Sequence, residues 1–585
     1  MSYERRVSRD REQHSQQAMS SFQISFRSFS LIAALGLLPV LAAAQAPNAP
    51  APGISGGNYR IAGTLVSKTD AHPLAHARVT IRDTKNSDKF ASLVTEEDGK
   101  FEFNGLPAGK YSLNGSKRGY ISAAYDQHDQ FSTAIVTGAG LDTETLLLKL
   151  APAAVITGKV LDEAGDPVRR AGVTVYYDDH TSGVDQIHTY RSAQTNDQGV
   201  YEITPLMPGT YFLSASAKPW YALHPTSQPD DRRRKANPQG QTETDETETS
   251  TFDRSLDAAY PTTYYPDATE ADSATPIPVR GGERIEVDMH LNPVPALRLT
   301  FRVPEDGKSG FMYPQLQQSA FDSDTFVQTG PVQRISAGVM ELSGIPAGKY
   351  NVRLFGGGTQ MQMNGVDLTK DGEEIDTSHS EAMSTVKVSA QISGDATPLA
   401  QFRVGLRSGH RLLSAWKPLD EKGEAEIPQI PAGKYDVQVW GPPKPYSIAH
   451  MTAEGATVSG RTLTVPAGAS ASISLTLVGG SSQIEGTAKR AGKPFASAMV
   501  VLVPKNPERD HDLFRRDQSD LDGTFSLRNV VPGSYTLLAI DDGWDLDWSQ
   551  PSVISVYLRH GRKIEVGSQA GRPMTVAEGI EVQSK

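Results

Sequence analysis

The stretch DGKFEFNGLPAGKY, residues 98–111, decides the fold. Phe101 and Phe103 alternate with polar neighbours, the period of a strand with one buried face. Asp98-Gly99 opens the stretch as a tight-hairpin dipeptide, because Gly accepts the positive φ that such turns need. Pro107 presets φ at the second position of a turn, and Gly109 closes it. Tyr111 and Leu113 then begin a second alternating strand. The unit reads as strand, turn, strand.

The same unit returns four times, from Gly199 to Tyr211, Gly338 to Tyr350, Gly423 to Tyr435 and Gly523 to Tyr535, and in all five copies the Gly-to-Tyr interval is 12 residues. Internal repeats of this kind set the architecture before any other feature. A second signature lies upstream in four copies: Pro73, Pro167, Pro398 and Pro494 each precede a valine (Val79, Val173, Val404, Val500) by six residues. A strand comes before each, at Ile61–Gly63, Ile156–Gly158, Val388–Ala390 and Ile484–Gly486. The third copy opens with the alternating run Leu297–Val303 and lacks the clear proline. Short strands at regular spacing, with no sustained helical period, predict β-sandwiches.

The order I-x-G-x-V, G-x-P, A-x-V, D-x-x-G-x-F/Y, L-P-x-G-x-Y resembles the carboxypeptidase regulatory-like domain, a transthyretin-like sandwich, and is similar to the B-type repeats of collagen-binding surface proteins. The resemblance is fullest over modules one, two and five, weaker over four and weakest over three. It implies a seven-stranded Greek-key sandwich in each module, of a kind grouped with carbohydrate-binding folds and used as accessory modules in exported bacterial proteins. The expected fold class is therefore all-β: a tandem array of about five Greek-key β-sandwich modules of transthyretin (prealbumin) type.

Outward from the repeats, the modules are expected at 59–150, 151–294, 295–383, 384–480 and 481–585. Module two carries an insert at about 226–256, where a basic run, Asp230–Lys235, meets an acidic Thr/Glu stretch almost without apolar residues. Such a segment cannot bury enough surface to order itself. Residues 1–44 read as a secretory signal and 45–58 as a Pro/Ala/Gly linker. Leu31–Ala44 is a 14-residue apolar run, about six residues short of a bilayer span, with Arg27 before it and small residues after it. Cleavage is expected after Ala44 and translation from Met19. Removing residues 1–44 takes away five basic and three acidic residues and moves the net charge from −11 to −13. No later segment is apolar enough to span a membrane.

A net negative chain excludes a nucleic-acid partner, which needs a basic footprint. The absence of cysteine excludes disulfides, thiolate metal sites and a cysteine nucleophile. None of the 13 histidines has Glu three residues later, so the zinc motif of the carboxypeptidases that carry such regulatory domains is missing, as are His-Glu-x-x-His, a P-loop and a Gly-x-Ser-x-Gly elbow. His72 and His76 flank Pro73 in an extended region, where their spacing does not bring them together. Asp520, Asp522, Asn196 and Asp197 could offer oxygens to calcium, but turn acids explain them more simply. Lys68 and Lys159 lie near first strands, yet no matching Asn with a paired Glu recurs for an isopeptide bond. No catalytic residue, metal site or cofactor is expected.

Aromatic residues are the ligand candidates: Tyr120, Trp220 and Trp544, each nine residues past the signature tyrosine, with Trp440 and Tyr446 near that tyrosine in module four and Trp548 close to Trp544 in module five. Sugar faces stack on exposed rings, and Tyr and Trp join an apolar body to a polar tip. Packing at the sandwich ends is the competing role. The acid-interleaved cluster Trp544–Trp548 is the expected exposed patch. The leading functional reading is an exported, non-enzymatic binding or adhesion protein whose partner is a glycan or a cell-envelope protein, with carbohydrate as the ligand. A structural scaffold for envelope proteins is the alternative, and a hydrolase with a hidden acid cluster the third.

Overall fold

The computed structural model describes residues 54–585 except 55, 225–252, 303–312, 337, 357–358, 377–382, 394–395, 409–410, 413–415, 442–445, 480–481, 509 and 568–571. The expected signal segment, nearly all of the linker and most of the insert lie outside the described residues. Residues 253–256, at the insert's end, form a short 3-10 turn capped by Asp253, whose carboxylate accepts from Ser255 N.

The first module shows the shared plan. Its strands are β1 (Tyr59–Ser67), β2 (Arg78–Asp83), β3 (Phe90–Val94), β4 (Lys100–Leu106), β5 (Gly109–Ser116), β6 (Ala123–Ala124), β7 (Ile135–Thr137) and β8 (Leu146–Leu150). One sheet has the order β4-β1-β8, and the other runs β3-β2-β5-β6 with β7 also on β5. The β1–β8 pair is parallel and the other pairs are antiparallel. Ile61, Leu65, Val79, Ile81, Leu113 and Leu148 fill the space between the sheets. The later repeat units have cores of their own, around Ile156 and Val175, Phe301 and Val352, Val404 and Ile473, and Val500 and Leu537.

This plan corrects the reading of the signature unit as a hairpin. β4 pairs with β1, whereas β5 pairs with β2. The Pro107–Ala108 link is therefore an arch from one sheet to the other. The same holds for Val200–Leu206 and Gly209–Ser216, for Val339–Ile345 and Gly348–Gly356 and for Glu424–Ile430 and Gly433–Trp440; in module five Thr524–Val530 and Gly533–Asp541 also pair with different strands, although Ile580–Ser584 joins their two layers at one edge. Asp98-Gly99 likewise joins β3 of one sheet to β4 of the other. Alternation of period two shows which face is buried but not which neighbour a strand pairs with.

The two sequence signatures meet in space. A Cβ on Gly99, whose φ is +69°, would fall 3.0 Å from the Pro73 side chain and 2.7 Å from the Leu65 carbonyl oxygen. A Cβ on Gly199 would likewise fall 2.8 Å from Pro167. The upstream proline and the signature glycine are two sides of one packed corner.

The array is not a string of spacers touching only sequence neighbours. The loops of modules one and two reach module five, more than 300 residues away. Against that contact the fifth module shows the one α-helix among the described residues, α1 (Pro551–Leu558), with Pro551 in its first turn. Among the described residues no helix is long and apolar enough to cross a membrane.

Candidate functional site

Ordinary sandwich strands bury one face. In the strand Met499–Pro504 every residue is buried. Val500 and Leu502 point into the core of module five, while Met499, Val501 and Val503 join Leu538, Ile540, Trp544, Trp548 and Ile554 in a second apolar cluster on the outer face. A continuous apolar run is the mark of a strand covered on both sides. Met499–Val503 and Leu537–Ile540 carry that mark in the sequence.

What covers the outer face is partly the Trp544–Trp548 loop and partly module one. Trp544 and Trp548 are only 8% and 9% exposed. This corrects their expected exposure: Trp544 stacks on His128 of module one at 4.9 Å and 7° between ring planes, and its face is closed to a sugar. The acids between the two rings are paired, Asp547 with His180 of module two at 3.1 Å and Asp545 with Lys585. Arg516 sits among the aromatic rings, its guanidinium 4.2 Å from the Trp548 centroid and 5.2 Å from that of Phe131. It donates to Asp129 at 3.1 Å and to the Thr181 carbonyl at 2.9 Å, tying modules one and two to five.

Polar contacts staple modules one and five beside this cluster. Lys110 Nζ, on β5, donates to Asp520 Oδ2 at 2.5 Å. Asp520 Oδ1 accepts from Ala134 N at 2.9 Å. The Gln518 amide donates to Thr133 Oγ1 at 2.8 Å and to the Asp126 carbonyl at 2.6 Å. Thr133 and Ser497 share a hydroxyl hydrogen bond of 2.8 Å.

Next to the staples a cleft of about 960 Å³ opens between modules one and five, with Thr181 of module two at its edge. Its walls mix amides and hydroxyls (Gln130, Ser132, Asn529) with ring edges (Phe131, Phe514, Trp548). Lys85, in the loop after β2, and Arg528, on the strand Thr524–Val530, are exposed cations of the cleft that no carboxylate bridges among the described residues. Trp548 Nε1 is a buried N–H with no acceptor among the described residues. Buried donors in folded proteins are nearly always satisfied; this one is closed off from solvent, and what Trp548 offers the cleft is part of its ring.

Two carboxyls of the cleft are shifted upward. Burial pushes Asp517 to about 6 against the pull of its hydrogen bonds from Ser526 N and Gln518 N. Burial also raises Asp520, outweighing Lys110. Perturbed acids in a cleft can signal catalysis. Here Asp520 is held by both oxygens in the module staple, and Asp517 Oδ2 accepts from Ser526 N at 2.6 Å, so both acids have structural work.

The other aromatic candidates lie elsewhere. Trp220 is 87% exposed and Trp440 60%; Trp220 meets Tyr221 edge-on, and Arg403 lies 6.0 Å from the Trp440 ring. Tyr446 is half-buried, edge-on to Phe402 at 4.7 Å. Tyr120 is half-buried beside His72 at 3.4 Å. The six candidates form no single site, and of them only Trp548 lines the cleft. His72 and His76 pair with separate acids, Asp70 and Glu97. Asn196 caps its own turn, accepting from Gln198 N and Val200 N.

Residues 60–141 and 155–226, within the first two sandwiches, match the carboxypeptidase regulatory-like domain. No curated protein sequence matches the chain. Among solved structures, the Bacillus anthracis TIE protein is 12% identical, over 74% of this chain and 73% of its own, with a TM-score of 0.16. A streptococcal ancillary pilin is 12% identical, over 49% and 98%, at 0.17. BcpA, the major pilin subunit of Bacillus cereus, is 10% identical, over 72% and 98%, at 0.13. At such scores these likenesses carry no argument about architecture or role.

Proposed function

We propose that this chain, two of whose sandwiches match the carboxypeptidase regulatory-like domain, is an exported, non-enzymatic binding protein whose ligand is a carbohydrate held in the cleft between modules one and five. The observation that carries the reading is a polar cleft of about 960 Å³ that sets the exposed cations Lys85 and Arg528 among amides, hydroxyls and the rings of Phe131, Phe514 and Trp548. A sugar presents hydroxyls around its rim and C–H groups on its faces, which suits amides and hydroxyls set among ring edges. The exposed cations favour a sugar that carries a carboxylate. Asp520 serves as a staple between modules and Asp517 as an acceptor within module five, which supports binding over hydrolysis.

The test is a glycan array that includes uronic acids, probed with the full chain and with Lys85→Ala/Arg528→Ala and Trp548→Phe. Binding to acidic glycans, weakened by both variants, is expected. No binding, or binding indifferent to both, overturns the reading. Exposed Trp220 and Trp440, both away from the cleft, favour a second reading in which the modules dock envelope proteins. Capture that depends on those two rings and not on the cleft would select it.

A further inference from the structure

β10 (Gly172–Asp179, counting Ala154–Leu161 as β9) and β11 (Gln186–Gln194) form a hairpin of module two that packs on module five. At its tip Asp178, His180 and Asp185 each place one donor atom within 4.8 Å of the other two. His180 Nε2 lies 3.6 Å from Asp178 Oδ1. A tetrahedral ion with bonds of about 2.0–2.1 Å separates its ligand atoms by about 3.4 Å, so this pair already stands near the spacing an ion would impose.

Two features outside the cluster's own spacing point to a cation. Asp178 Oδ1 is a buried carboxylate oxygen with no hydrogen-bond donor among the described residues, its nearest cation being His180 itself. Among the described residues no lysine or arginine bridges Asp178 or Asp185. The ring of His180 is held from another module: its Nδ1 meets Asp547 Oδ1 at 3.1 Å. A metal-bound imidazole almost always gives its second nitrogen to a carboxylate in this way, which fixes the ring and leaves the other nitrogen to the ion.

We infer that Asp178, His180 and Asp185 form a binding site for a divalent transition-metal ion such as Zn²⁺, with Asp547 of module five as the carboxylate that orients His180. One imidazole and two carboxylates suit such an ion. Asp185 is exposed, which leaves the ion an entry path and room for water. The ion clamps the hairpin that also carries Thr181, a wall of the cleft, and Gly183, where an added Cβ would lie 2.6 Å from the Trp548 ring.

The test titrates the chelator-stripped full chain with Zn²⁺ and separately with Ca²⁺ by calorimetry. One Zn²⁺ per chain is expected, bound far more tightly than Ca²⁺. Asp185→Asn, an exposed and nearly isosteric change, should abolish uptake while the circular dichroism stays that of the parent. Asp547→Asn should weaken it by about 10–100-fold without removing a ligand. His76→Ala, at the separate pair with Glu97, should leave it unchanged. Absence of stoichiometric uptake, a preference for Ca²⁺, or equal uptake by Asp185→Asn overturns the site.

Discussion

The hydroxyl of Tyr111 donates to the carbonyl of Pro107, four residues upstream, at 3.0 Å. The same bond closes every arch: Tyr211 to Met207, Tyr350 to Pro346, Tyr435 to Pro431 and Tyr535 to Val531, at 2.6–2.8 Å. Each ring is buried in the core below the arch. The chain must pass from one layer to the other within two residues, and the tyrosine ties the crossing from beneath. The constant 12-residue interval follows from this geometry: a strand long enough to cross the core, the arch, and the ring that locks it.

Replacing one of these tyrosines by Phe removes the donor and keeps the ring. The Pro107 carbonyl also accepts from Thr137 Oγ1 at 2.8 Å, so Tyr111→Phe should cost only about 0.5 kcal/mol. The Tyr350 bond is buried, and Pro346 has no second donor among the described residues. Tyr350→Phe should therefore cost about 1–2 kcal/mol. Native-state hydrogen exchange in each module measures the two locally. Equal losses would remove the distinction.

The repeat, the all-β class and the burial of Phe101, Phe103 and Tyr111 were legible in the sequence, because alternation and turn chemistry are local. The pairing partners were not. Two strands separated by Pro107–Ala108 look like a hairpin, and only distant strands reveal that they lie in different sheets. The cleft was hidden for the same reason. Asp520 and Asp522 read as turn acids, and only the fold brings Lys110 from 410 residues earlier to Asp520. Trp544 and Trp548 read as a solvated patch because Asp545 and Asp547 lie between them, although both acids have partners elsewhere. The one local sign of their burial was the unbroken apolar runs at 499–503 and 537–540.

Trp544 and Trp220 occupy equivalent sequence positions in opposite environments, which makes them a matched pair. Trp544→Ala removes a buried ring stacked on His128 and should cost about 3–5 kcal/mol, seen as a lower melting temperature and loosened docking of module five on module one. Trp220→Ala, at a ring 87% exposed, should change stability by no more than about 0.5 kcal/mol. Similar losses at both sites would contradict the packing described.

Lys110 and Asp520 are only partly exposed, with 31% and 19% of their side chains reaching solvent. Lys110→Met keeps the stem and leaves Asp520 ionised without its cation, at a cost of about 1–3 kcal/mol. Adding Asp520→Asn removes the stranded charge and should recover part of that loss. A double-mutant cycle on urea unfolding gives the coupling directly. Strictly additive effects would mean that the two groups do not hold the modules together.

Asp517 sets a pH dependence of definite sign. Burial is the main cause of its rise to about 6 in the folded chain, while an unfolded Asp titrates near 3.9. Between about pH 4 and 6 the folded chain therefore holds the proton that the unfolded chain has released. The unfolded state binds fewer protons in that window, so this group's contribution to stability falls as pH rises through it and is lost above it. The difference between the two values corresponds to about 2 kcal/mol, discounted for the residue's partial contact with solvent. Asp517→Asn can still accept from Ser526 N but does not titrate. The variant should equal the parent near pH 4, gain on it up to about pH 6 and level off towards pH 7. Urea midpoints measured across that range decide the matter, because other carboxyls titrate alike in both proteins and only the difference between the curves reports Asp517. Parallel curves would show that the Asp517 carboxyl keeps its ordinary affinity for the proton and that the cleft floor is wetter than its packing implies.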